Sequence, residues 1–171
     1  ETIRVKVQKF GTFLSGMIMP NILAFIAWGI LAALFIPAGW FPNEKFNELV
    51  GPTLNFLLPL LVGYTGGKQV YGTRGGVVAA MTTMGLIVGA DVTMFLGAMI
   101  MGPLSAFIMK KIDNVIRKKV PTGFEMLIDN FSAGIFAAVI ALLCLVSVGP
   151  IFAGLNNFLT TGVDFLVQHG L

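Results

Sequence analysis

The sequence predicts an all-α fold, a polytopic transmembrane helical bundle of about five membrane segments with terminal amphipathic helices. Three observations predict it. Only 11% of the 171 residues are charged and 56% are hydrophobic, whereas a soluble domain carries about 25% charged residues. The mean hydropathy is +0.89, and the apolar residues come in long runs. The basic residues fall between those runs, not along one polar face, which fits membrane orientation and excludes a nucleic-acid-binding surface.

Residues 11–37 form an uncharged run long enough to cross a hydrocarbon core of roughly 30 Å. Met19-Pro20-Asn21 interrupts it. Proline removes a backbone donor, so a kink is expected there. Neighbouring side chains must then satisfy the freed carbonyl, and Asn21 is suited to part of that task. Asn21 is either a capped residue in a kinked helix or a polar contact near a solute path.

Residues 38–50 are a polar connection, with Trp40 at headgroup level. A second span starts at residue 52 and runs towards Tyr71, weakened at its end by glycines between residues 63 and 67. Lys68 and Arg74 bracket a short glycine-rich connection. Residues 75–90 and 95–109 are shorter apolar segments, with Asp91 between them. Two short helices extended into their flanks are expected, with a re-entrant hairpin as the alternative. Asp91 is either an interfacial turn residue or a polar group facing a solute cavity.

Residues 110–130 are the most polar stretch, broken at Pro121-Thr122-Gly123. Residues 131–155 form another uncharged span. Residues 156–171 are amphipathic and read as an interfacial helix. Gly75, Ala79 and Thr83 recur at four-residue spacing, as do Gly85 and Gly89. Such positions make packing faces in lipid, within one protomer or between protomers.

With the amino terminus in the cytoplasm, ten of the eleven basic residues lie inside and only Lys45 lies outside. The positive-inside rule therefore selects that orientation. No secretory cleavage site follows the basic patch Arg4–Lys6. The absence of an initial Met suggests that a few native residues precede Glu1.

No catalytic constellation and no metal site is evident. His169 is the single histidine and Cys144 the single cysteine. The cysteine sits in an apolar run and suits a small apolar filler. His169 suits an exposed or interfacial position. The glycines at 63–67 do not make a phosphate loop, because no Gly-Lys-Ser/Thr follows at the required spacing. No cofactor is implied, and no motif points to a hydrolytic enzyme.

The segments Phe10-Gly11, Met19-Pro20-Asn21-Ile22, Ala24–Ile30, Leu57–Leu61, Gly63–Lys68, Arg74–Val78, Val88–Asp91, Gly123–Leu127 and Asn130–Gly134 together are specific. They resemble the membrane-embedded enzyme IIC domain of bacterial mannitol phosphotransferase systems, within the glucose-type IIC superfamily. The resemblance covers nearly the whole chain. It implies a multi-pass protein of the bacterial inner membrane. It also implies import of D-mannitol with phosphorylation to mannitol 1-phosphate. The phosphoryl group would come from a phosphohistidine carrier protein through IIA and IIB domains. Residues 1–171 then correspond to the amino-terminal scaffold and dimerisation part, with a homodimer expected.

The sugar-binding half and the IIA and IIB domains are not represented in the chain, so it is not expected to phosphorylate mannitol by itself. No catalytic residue can be carried over. Asn21, Thr65, Asp91 and Asn130 are the polar residues available to a substrate cavity. Two other readings stand beside this one: a membrane assembly module, and a small oligomeric channel or carrier without phosphotransfer.

Overall fold

The computed structural model describes residues 2–89 and 94–170, and the regular elements among them are all helical. α1 (Ile3–Ile18) is capped by Thr2, whose hydroxyl accepts from the Val5 amide. It leads through a single 3₁₀ turn, Met19–Asn21, into α2 (Ile22–Phe35). The change of pitch falls at Pro20, as the missing N–H requires. The polar connection holds two short pieces, α3 (Glu44–Asn47) and α4 (Val50–Pro52). A π-helical segment, Thr53–Leu57, then enters α5 (Leu58–Val88).

α5 is a hairpin. At its middle Tyr71 leaves helical geometry (φ −145°, ψ 31°) and Gly72 takes φ 64°, ψ −160°. That region is essentially closed to residues with a Cβ. On either side Gly63 faces Thr83 and Gly67 faces Ala79. The pairing runs in opposite senses, so the legs 58–70 and 73–88 are antiparallel. Ala79, Thr82 and Thr83 are fully buried, and both threonine hydroxyls donate back to carbonyls four residues earlier, Val78 and Ala79. The small-residue spacing therefore serves packing inside one chain at these positions.

α6 (Phe95–Ile116) and α7 (Glu125–Leu143) complete the bundle. α6 is 22 residues long, about 33 Å at ~1.5 Å per residue, enough to cross. It lies against both legs. Met17, Val62 and Ala98 share one core cluster; Val78, Met109 and Ala137 share a second; Leu86, Ile87, Met94, Met101 and Cys144 form a third. After α7 a π-helical segment, Cys144–Val148, passes into α8 (Gly149–Gln168).

Among the described residues four stretches are long and apolar enough to cross a membrane: Ile3–Phe35, Glu44–Val88, Phe95–Lys119 and Glu125–Ser147. The second of these contains the hairpin, so it folds back on itself at Tyr71-Gly72. Two boundaries differ from the sequence reading. The last span begins at Glu125, because Phe131 is preceded by a helical turn carrying Glu125 and Asp129. The terminal helix begins at Gly149, not at residue 156, directly after the π-helical segment and beside Pro150, whose missing N–H interrupts the α-helical ladder there.

Candidate functional site

Among the described residues two clusters of polar side chains link separate helices of the bundle. The first is at the break between α1 and α2. The Asn21 side-chain amide donates to the Met17 carbonyl at 2.9 Å, to the Leu61 carbonyl at 3.2 Å and to Thr65 Oγ1 at 2.8 Å. Thr65 Oγ1 donates to the Leu61 carbonyl at 2.8 Å. Asn21 thus supplies donors to carbonyls beside the proline break and fastens it to the first leg of α5. Both side chains are partly buried. Further along, the Trp28 indole N–H donates to the Val50 carbonyl at 3.0 Å, tying α2 to the start of the next span.

The second centre is at the hairpin turn. Asp113, on α6, has a side chain only 2% exposed. Its carboxylate accepts from the Tyr71 hydroxyl at 2.5 Å, from Arg74 Nε at 2.6 Å and from Arg74 Nη2 at 2.9 Å. Arg74 Nη2 also reaches Ser132 Oγ of α7 at 3.3 Å. Arg117, one turn beyond Asp113, lies 3.8 Å from it and 3.4 Å from Asp129. The planar guanidinium meets the carboxylate through two N–H donors, the strongest geometry for such a pair. One carboxylate thereby joins the turn of α5, the end of α6 and the start of α7.

This arrangement also collects the basic residues. Gly16 of α1 lies beside Gln69, so the residues before it extend past the hairpin turn. Arg4, Lys6 and Lys9 lie at the same end as Lys68, Arg74, Lys110, Lys111 and Arg117–Lys119. Lys45 is at the opposite end.

Of the four candidate cavity residues, Asn21 and Thr65 are in contact. Asn130 stands on α7, on the wall of a groove shared with Arg74. Asp91 lies outside the described residues. Sequence reasoning missed the Arg74–Asp113 centre. The signal for it was available: Asp113 is the one acid in a basic run, and Met109, Asp113 and Ile116 fall at helical spacing on one face. His169 is exposed at the end of α8, with Nδ1 2.9 Å from the Phe165 carbonyl. Among the described residues no three His, Cys, Asp or Glu side chains are grouped as metal ligands.

The sequence profile of the phosphotransferase system EIIC family matches residues 15–171. The chain belongs to the phosphotransferase system EIIC family. It is accordingly a multi-pass membrane protein, as the crossing segments require. It is 59% identical over 170 residues to a mannitol-specific EIICB component of Halalkalibacterium halodurans, covering 99% of this chain and 36% of that protein. It is 59% identical over 169 residues to a mannitol-specific EIICBA component of Klebsiella pneumoniae, covering 99% of this chain and 27% of the relative. The Escherichia coli EIICBA component is 58% identical over 169 residues, 99% of this chain and 26% of the relative. The chain thus spans between about a quarter and about a third of the length of these relatives. No solved structure matches it.

Proposed function

We propose that this chain is the scaffold part of a phosphotransferase permease that imports D-mannitol and releases it inside as mannitol 1-phosphate. The observation that carries the reading is identity of 59% across nearly the whole chain to proteins named mannitol-specific. The naming of those relatives as EIICB and EIICBA components supports IIB and IIA domains as partners in phosphoryl delivery. In this reading the amino terminus and the basic end of the bundle face the cytoplasm, in keeping with the positive-inside rule. Phosphorylation there traps the sugar, because a charged product is far costlier to return through hydrocarbon than the neutral polyol.

The chain's own part is mechanical. Its exposed apolar residues, such as Ile22, Leu23, Ile26 and Ile30 on α2 and Ile135, Val139 and Leu142 on α7, offer surface to lipid, to a sugar-binding half and to a second protomer. The Arg74–Asp113 centre keeps α5, α6 and α7 together as one body against which a sugar-binding half would move.

Radiolabelled polyol uptake by membrane vesicles containing the intact protein, supplied with phosphoenolpyruvate and the soluble carriers, tests the reading. Accumulation of mannitol 1-phosphate, with glucitol a poor competitor, is expected. Accumulation of a different sugar phosphate in preference, or of free mannitol alone, sinks it.

A further inference from the structure

A furrow between the second leg of α5 and α7 opens at the basic end of the bundle. Its cavity of about 520 Å³ has Arg74 and Asn130 at one end, and Val77, Val78, Ala137 and Ala138 among the apolar residues along the rest. A further apolar cavity of about 370 Å³ continues from Met81 and Ala138. There the two helix backbones touch, since a Cβ at Gly85 would collide with the Ala141 carbonyl.

We propose that the furrow seats one phospholipid from the leaflet at the basic end. Its phosphodiester sits at Arg74 and Asn130, and one acyl chain runs towards Met81. Three features carry this assignment. First, hydrogen-bond donors stand only at the mouth. The Asp113 and Ser132 bonds use Arg74 Nε and Nη2, which leaves Nη1 for another acceptor, and Asn130 is exposed beside it. Second, the nearby acids are already engaged. Asp113 is held by Arg74, Tyr71 and Arg117, and Asp129 by Arg117, so a phosphate meets no uncompensated carboxylate. Third, the depth fits a single leaflet. From Asn130 to Ala138 the helix rises about 12 Å at ~1.5 Å per residue, against about 15 Å for half a hydrocarbon core.

A transmembrane helix is the other possible occupant. Its backbone carbonyls are already bonded within the helix, so it would meet the two donors at the mouth only where it carried a polar side chain at that level. A phosphodiester brings a charged acceptor, and such bonds are the strong kind.

Native mass spectrometry of the delipidated intact protein tests the proposal. The probes are phosphatidylglycerol and a diacylglycerol with the same tails and no phosphate. One phosphatidylglycerol per chain is expected, held roughly tenfold more tightly than the diacylglycerol, the worth of a single charge-assisted hydrogen bond. Gly134 lines the furrow, and a Cβ there would meet nothing within 4 Å. In Gly134→Leu the side chain starts from an uncrowded Cβ and extends into the furrow, and it should lower retention by roughly tenfold, the worth of a leucine-sized apolar contact. Should Gly134→Leu not fold, the headgroup comparison on the native sequence decides alone. Equal retention of the two lipids overturns the proposal, as does undiminished retention by a folded Gly134→Leu. Photocrosslinking from Val77 to a peptide instead of a lipid overturns it too, and assigns the furrow to a helix.

Discussion

Removing the Asp113 carboxylate should be the most damaging single change at the basic end of the bundle. In Asp113→Ala, Arg74 loses both bonds to the carboxylate and Tyr71 loses its acceptor. The Arg74 side chain is only 21% exposed, so water replaces those bonds poorly. Breaking one side of a buried ion pair typically costs about 3–5 kcal/mol. In membrane proteins the unfolded reference state also finds partners, which lowers such values. We therefore expect about 3 kcal/mol, a shift of roughly two powers of ten in the unfolding constant.

The double variant Arg74→Met, Asp113→Leu removes both charges and fills the space with apolar groups. It should recover to within about 1 kcal/mol of the native protein, because replacing a whole buried pair is often neutral. Equilibrium unfolding in mixed micelles, followed by far-ultraviolet circular dichroism, measures both. A loss below about 1 kcal/mol for Asp113→Ala, or a double variant as damaged as the single one, would show that the centre does not fasten the three helices.

Three further outcomes follow from the hairpin, the open face of α7 and the lone thiol. Gly72→Ala should cost about 1–3 kcal/mol, because the alanine must hold a backbone conformation that only glycine takes freely. Gly134→Ala, on an open helix face, should be neutral or slightly stabilising by the same unfolding measurement. Cys144 is fully buried, so a maleimide should label the folded protein slowly and the detergent-denatured protein completely, as read by mass. Fast labelling of the folded protein would contradict its packing against Leu86 and Met94.

The crossing segments were legible because lipid leaves few choices. An uncharged run must form its own hydrogen bonds, so residues 11–37 and 131–155 could be read directly as helices. Asn21 was legible too, because Pro20 beside it announces a carbonyl that needs a donor. The Arg74–Asp113 centre was hidden by distance, since the partners are 39 positions apart and no local period links them. A lone acid among lysines reads as solvated until its helix is placed against the hairpin. The start of α8 was misplaced because hydropathy continues unbroken through Val148, whereas the change there is one of backbone pitch. Hydropathy located the apolar stretch, but not the point at which one helix gives way to the next.

The hairpin also bears on the order in which the molecule assembles. Its legs pair through a two-residue turn, so the entropy lost in closing that loop is small, and contacts local in sequence form early. During synthesis both legs can meet before α6 has left the ribosome. They then present a finished surface, with Ala79 and Thr83 already hidden, on which α6 can settle. α7 follows α6 and brings Ser132 to Arg74. From the hairpin onward the chain therefore reads as an assembly sequence in which α6 and then α7 find their seats already made.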